Sequence, residues 1–244
     1  LDEMELIESQ GYEKVLFFDD GLTLNNKRLV NICRGIRRRG IDLEWFFEGR
    51  VDHATRDVYE ETVKAGAKMC YFGAESATSK VLNYYNKTIT PLQTKTAVRT
   101  ARKAGMDFIV ASFILGCPGE TEEDINRTIR FMRDIDVDFV QVTSLHAYPG
   151  TALWDSLVEE GYLDPEQYWE KGIDVCSVHP EALSKTTIYE KIKEAYESFV
   201  SHYKTKIKHV WRLIKSKFRR QVFLHNLDYF RTNLTRNLIG KNED

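Results

Sequence analysis

Cysteine is scarce in this chain and badly spaced for metal. Its four copies, Cys33, Cys70, Cys117 and Cys176, form neither a C-x-x-C nor a C-x-x-x-C pair. That excludes a zinc knuckle or an iron–sulfur loop within these 244 residues, because both need thiolates a few residues apart. Long apolar runs are missing too, and none approaches the ~20 residues that cross a bilayer as a helix. A net charge of −2 names no partner. No aromatic RNP-type strand occurs, so nucleic acid is not expected as a partner. Scattered single cysteines without a secretory leader point to a reducing, cytoplasmic compartment. The chain opens on Leu1, inside the helix-like stretch LDEMELIESQG, and reads as a piece of a longer protein.

What is present describes a soluble globular protein, with 42% hydrophobic and 30% charged residues. Five short runs rich in aromatic and β-branched residues predict strands: 14–20, 42–50, 68–76, 107–116 and 139–148. Each is nearly continuous in hydrophobicity, the pattern of parallel strands covered on both faces. Helical segments lie between them. Ile125, Ile129 and Met132 hold one face of a segment that Thr121 opens, with Asp124 three residues on and Glu122–Glu123 in the first turn. Leu153, Trp154, Leu157 and Val158 hold another. Gly40, Gly66 and Gly105 each stop a helix before the next strand. Strand–helix alternation repeated five times implies an α/β fold with a parallel sheet, closed or partly closed into a barrel.

The domain reading is a barrel over 1–160, an irregular covering segment over 161–183 and a basic helical extension over 184–244. From Thr186 onward Ile188, Ile192, Tyr196, Phe199, Tyr203, Ile207, Val210 and Ile214 form a stripe that predicts one long helix. Residues 201–244 hold eleven Lys/Arg against three acidic residues. A basic amphipathic helix over 204–220 is suited to an anionic membrane surface, more weakly to RNA phosphates, or to packing on the barrel with a solvated basic face.

In parallel α/β barrels the active site lies at the C-terminal ends of the strands. Here those ends carry Asp19 and Asp20, Glu48, Arg50 and Asp52, Glu75 and Ser76, Gly116 and Cys117, and His146 and Tyr148. Singly, each also reads as a helix cap or a solvated loop residue. Together they ring one mouth, the ordinary way this architecture binds a polar ligand. Trp45, Phe47, His146 and Tyr148 are candidates for lining a substrate pocket.

The wording at the strand ends is more specific. FFDDGLTLN, GRVD, YFGAES, NKTIT, FILGCPGET and AYPGT occur in this order. The ordered set resembles the radical S-adenosylmethionine (radical SAM) superfamily, and within it the branch whose members often carry a cobalamin-binding domain upstream. The resemblance spans roughly residues 1–160. It implies a partial (β/α)6-type barrel missing its first strand, followed by the helical extension.

By that resemblance, Asp20 accepts a hydrogen bond from the ammonium of S-adenosylmethionine, and Gly21 lets the backbone approach closely. Glu75 matches a position near the cofactor's ribose or methionine part. Lys87 matches a cation that pairs with the cofactor carboxylate; it reads equally as an ordinary surface lysine. Ser112 and the turn through Gly116 and Pro118 match the strand that contacts ribose and adenine, where exposed amides suit the adenine edge. Arg50 reaches either cofactor or substrate. Cys117 reads as a structural, inert thiol.

The family's C-x-x-x-C-x-x-C loop, which holds a [4Fe–4S] cluster, does not occur in this chain, so no metal ligand is expected here; the resemblance places those cysteines upstream of Leu1. The implied function is a radical enzyme that uses the cluster to cleave S-adenosylmethionine, or uses it for radical methylation of an organic substrate. Cobalamin remains an option. Implied partners are a small-molecule or lipid-like substrate and an electron donor such as a flavodoxin or ferredoxin. Two other readings stand beside it. One is a conventional α/β-barrel lyase or aldolase using Glu75, Lys87 and Asp20, which requires a desolvated lysine. The other is a non-catalytic scaffold without a cluster.

Overall fold

The computed structural model describes residues 1–19, 21–171, 179 and 181–225. Five strands, β1 (Lys14–Phe17), β2 (Glu44–Gly49), β3 (Ala67–Glu75), β4 (Phe108–Leu115) and β5 (Phe139–Ser144), form one sheet. They are all parallel and lie in sequence order. Each strand therefore adds beside its predecessor through a helical crossover, as in an α/β barrel wall. The helices preceding and joining them are α1 (Asp2–Ser9), α2 (Asn26–Arg39), α3 (Arg56–Lys64), α4 (Ser79–Tyr84), α5 (Pro91–Lys103) and α6 (Glu122–Asp134). After β5 come α7 (Ala152–Glu159), α8 (Pro165–Lys171), α9 (Lys185–Ser201), α10 (Tyr203–Lys215) and α11 (Lys217–His225).

Local chemistry sets many of these boundaries. Asn25, Thr90, Thr121, Thr151 and Ser184 cap the amides of the helices that follow them. At Thr121 the capping box is reciprocal, with Asp124 returning a bond to the Thr121 amide. Gly40, Gly66 and Gly105 all take positive φ behind α2, α3 and α5, a conformation that costs other residues a Cβ clash.

Strand periodicity divides the sheet into two unlike faces. Trp45, Phe47, Cys70, Phe72, Ile109, Ala111, Phe113, Val140 and Val142 point to the helical layer and form the core. Residues of opposite parity, Glu48, Tyr71, Gly73, Ser112, Gln141 and Thr143, are half-buried or exposed. This corrects the expectation of strands covered on both faces. The aromatic residues on the second face, Phe46, Tyr71 and Phe139, gave the runs their continuous apolar look, yet among the described residues no helical layer buries them.

The chain divides into two compact units, Leu1–His202 and Tyr203–Asp244. Helix α9 belongs with the sheet, against α6 and β5. The Tyr196 hydroxyl lies 3.0 Å from the Val142 amide and 3.4 Å from its carbonyl, so it satisfies backbone groups at the outer edge of β5. The single long helix expected from Thr186 is also corrected. His202 is extended, with φ −62° and ψ 122°, and ends α9. A second break, at Ser216, separates α10 from α11. Among the described residues no helix is long and apolar enough to cross a membrane.

Candidate functional site

At the C-terminal ends of β2, β3 and β4 the open face forms a cavity of about 440 Å³. Its walls include Glu48, Arg50, Asp52, Tyr71, Gly73, Glu75, Asn86, Lys87 and Ser112. A shallower hollow of about 450 Å³, around Leu1 and Arg28, contains none of these strand-end residues. We place the candidate site in the first, because acid, base and hydroxyl groups converge there.

Glu75 is the pivot. Gly73 pairs with Ser112, but the next pair is Glu75 with Phe113, so β3 carries a bulge at its last residues. Glu75 has φ 58°, and the Ser76 amide bonds back to the Ala74 carbonyl at 2.7 Å. An i to i+2 hydrogen bond around a residue of positive φ is the rarer, strained form of γ-turn. The strain turns the Glu75 carboxylate across Gly73 instead of continuing the pleat. A Cβ on Gly73 would lie 2.7 Å from Glu75 Oε1, so glycine is what lets the carboxylate sit there.

Lys87 meets that carboxylate, with Nζ 3.0 Å from Glu75 Oε1. Helix α4 delivers it. The Lys87 amide bonds to Leu82 O and the Asn86 amide to Asn83 O, while Asn86 takes φ 51°. That pair of bonds around a left-handed asparagine is a Schellman ending, which reverses the chain toward the sheet.

Arg50 and Asp52 form the opposite lip. The guanidinium makes two bonds to the carboxylate, at 3.0 and 2.8 Å, which hold the Asp52 carboxyl below its usual range and raise Arg50. The Arg50 amide donates to Thr23 Oγ1 at 2.8 Å, tying the loop after β1 to the mouth. Tyr71 stands on the floor, its hydroxyl 2.9 Å from Gln141 Oε1. Burial raises its phenol pKa above the ordinary value.

Of the residues singled out from sequence, Glu48, Arg50, Asp52, Glu75, Lys87 and Ser112 come together in this cavity. Asp20 lies outside the described residues. Gly21 opens a short 3-10 turn, Leu22–Leu24, and its amide bonds to Asp19 Oδ1 at 2.9 Å. Gly116 and Pro118 are buried beyond β4. There the expectation of exposed amides is corrected: the Gly116 and Cys117 amides both donate to Glu120 Oε2, at 2.7 and 3.2 Å. Glu120 is 2% exposed, and burial pushes its carboxyl up to about 7. Trp45 and Phe47 are corrected as well, since both are core side chains on the helical face; Trp45 Nε1 bonds to Ala65 O. His146 and Tyr148 are exposed and line neither hollow.

Sequence reasoning passed over Tyr71, Asn86 and Glu120. Tyr71 had a signal in its parity with Gly73, two positions before it on the same face. Asn86 is the left-handed stop of a short helix, which Asn favours. Glu120 had no signal, because a glutamate in a turn ordinarily faces water.

A sequential parallel sheet with a polar cavity at its strand ends defines an α/β-barrel type of enzyme scaffold. The sequence matches the radical SAM superfamily over residues 1–132. It is 33% identical over 213 residues to an uncharacterized methyltransferase of Pyrococcus horikoshii, covering 86% of this chain and 46% of that protein. It is 27% identical over 235 residues to an anaerobic magnesium-protoporphyrin IX monomethyl ester cyclase of Cereibacter sphaeroides, covering 94% of this chain and 37% of that one. The chain thus spans less than half the length of these curated relatives. Among solved structures it resembles a radical S-adenosylmethionine methyltransferase of Kitasatospora setae, bound to cobalamin and a [4Fe–4S] cluster, with TM-score 0.60, 21% identity and coverage of 65% and 33% of the two chains. It also resembles the coproporphyrinogen III oxidase of Escherichia coli, with TM-score 0.52, 14% identity and coverage of 72% and 37%. This chain belongs to the radical SAM superfamily, with the α/β fold of that family and a helical C-terminal part.

The family uses S-adenosylmethionine and a [4Fe–4S] cluster. The described cysteines do not fit the cluster. Cys33, Cys70 and Cys117 are each buried alone, in α2, β3 and the turn after β4, with thiols pushed up to about 12 by burial. Cluster ligation needs converging thiolates, and among the described residues no group of three His, Cys, Asp or Glu side chains is placed to hold a metal. The cavity fits S-adenosylmethionine better: it offers carboxylates for an ammonium and hydroxyls, and a lysine for a carboxylate.

Proposed function

We propose that this chain supplies the S-adenosylmethionine-binding wall of a radical SAM enzyme, whose cluster thiolates come from outside the described residues. The observation that carries this reading is the Glu75–Lys87 pair, set at the cavity by a bulge on one side and a Schellman turn on the other. Glu75 accepts hydrogen bonds from the cofactor's hydroxyl or ammonium groups, Lys87 takes its carboxylate, and Ser112 and Tyr71 lie beneath. Arg50 and Asp52, on the opposite lip, stand within reach of either cofactor or substrate. When bound, the cofactor supplies either a 5′-deoxyadenosyl radical or a methyl group.

The substrate is a small organic molecule, and the reaction is methylation or another radical transformation of it; the methyltransferase and cyclase relatives support that class. Cobalamin is a further cofactor of the intact enzyme in this proposal, and a flavodoxin or ferredoxin is its electron donor. The setting is the cytoplasm. The lyase or aldolase reading is not favoured, because Lys87 is half-exposed and ion-paired, unlike the desolvated neutral amine a Schiff base requires. The test is equilibrium binding of S-adenosylmethionine to the intact protein and to Glu75, Lys87 and Ser112 variants. Loss in the variants supports the site, and unchanged affinity in all three removes it.

A further inference from the structure

Helix α10 presents a face that the proposed reaction does not use. Successive helical residues turn by about 100°, so Ile207, Val210, Trp211 and Ile214 fall within roughly 100° of arc. All four are exposed, at 44%, 56%, 59% and 66%. Lys208, Arg212 and Lys215 follow along one flank, and Lys215 Nζ stands 4.8 Å above the Trp211 ring. From Ser198 to Leu227 the sequence contains eight Lys/Arg and not one Asp or Glu.

An apolar stripe of this width held in water is unfavourable, and such patches mark interaction surfaces. The charge beside it decides the partner. A second copy of the same face brings like charges together, which disfavours self-association. RNA answers the charge but leaves the aliphatic stripe in water. An anionic bilayer surface answers both, with acyl chains for Ile207, Val210 and Ile214, the interfacial zone for Trp211, and headgroups for the flanking cations. We infer that α10 is a peripheral docking helix for anionic lipid surfaces. This inference is independent of the reaction class.

The test is flotation of the intact protein with phosphatidylcholine vesicles, alone and mixed with phosphatidylglycerol. Binding is expected only to the mixed vesicles, and added salt weakens it. A triple variant, Lys208→Gln, Arg212→Gln and Lys215→Gln, is expected to partition on the order of a hundredfold more weakly, from roughly fivefold per cation. A second variant, Trp211→Ser with Ile214→Ser, is expected to lose binding even at low salt while its charge is unchanged. Unchanged thermal melts and circular dichroism of both variants show that the fold is intact. Equal binding to neutral and mixed vesicles, or to neither, overturns the inference. So does a triple variant that loses a single-stranded RNA probe while the apolar variant keeps it and the parent ignores vesicles.

Discussion

Glu75 Oε1 and Lys87 Nζ stand 3.0 Å apart, and both residues reach that point through left-handed backbone, Glu75 by its own φ of 58° and Lys87 by that of Asn86 before it, 51°. Two strained or special turns converging on one ion pair at a cavity point to a ligand rather than to stability alone, since the lysine of the pair is 44% exposed and solvent screens its contribution. In the free protein the pair satisfies the buried carboxylate. In the complex proposed above, each partner exchanges part of that contact for the cofactor.

Glu75→Ala, Lys87→Ala and Ser112→Ala in the intact enzyme are therefore expected to weaken S-adenosylmethionine binding without unfolding the sheet. Loss of a charge-assisted hydrogen bond costs about 1.5–3 kcal/mol, roughly tenfold to a hundredfold in affinity. Isothermal calorimetry beside thermal melts separates binding from folding. Full affinity in all three variants would contradict the assignment.

Gly73 offers a subtler probe. Gly73→Ala places a methyl group 2.7 Å from the present position of Glu75 Oε1. The far end of a flexible carboxylate shifts readily, so the expected result is weaker cofactor binding with a nearly unchanged melting temperature. A large drop in stability with unchanged binding would mean that the bulge, rather than the carboxylate, depends on this glycine.

How much of this was open to sequence reasoning depended on how local the physics was. The Thr121–Asp124 capping box is four residues of side-chain chemistry and was readable directly. So were the five strands and the glycine stops. The facing of Trp45 and Phe47 was not, because an apolar run hides which parity meets the helices, and a shift of one residue reverses every side chain. The break at His202 was hidden for a related reason: the helical stripe continues in phase from Ile188 to Ile214, with no proline or glycine to mark the interruption. Arg50, Glu75, Lys87 and Ser112 were legible as strand-end and loop residues, but their convergence rests on a bulge and a Schellman turn that no spacing announces.

Glu120 is expected to make the protein's stability depend on pH. Burial raises its carboxyl from 4.5 to about 7 in the fold. Between those values the folded protein holds a proton that the unfolded chain has released, so stability falls as pH rises through this window. The sign is opposite to that of Asp52 and Asp124, whose depressed values give stability that is lost only as pH falls through their still lower folded values. Glu120→Gln keeps an oxygen for the Gly116 and Cys117 amides but cannot ionise. Denaturant titrations from pH 4.5 to 7.5 are expected to show the parent losing stability relative to this variant as pH rises. A constant difference across the series would show that Glu120 does not titrate there.

The last expectation concerns the electron source. A [4Fe–4S] cluster needs three or four thiolates converging on one small volume. Cys33 lies in α2, Cys70 in the middle of β3 and Cys117 behind β4, and all three are buried free thiols. Their thiolate forms are disfavoured, each with its pKa pushed up to about 12, so neither position nor charge state suits iron. Cys176 lies outside the described residues and brings one sulfur at most. Anaerobic reconstitution of this 244-residue chain with iron and sulfide is thus expected to give no stoichiometric cluster, no broad absorbance near ~400 nm of the kind thiolate-ligated clusters show, and no 5′-deoxyadenosine on reduction. The S-adenosylmethionine binding proposed for the Glu75–Lys87 cavity is a separate property, measurable in the same sample without reductant. Weak binding with no cleavage is the combination that a wall without an electron source must give. Stoichiometric iron together with 5′-deoxyadenosine would instead require the cysteines of this chain to leave their buried positions and converge, and the fold described here would then have to change.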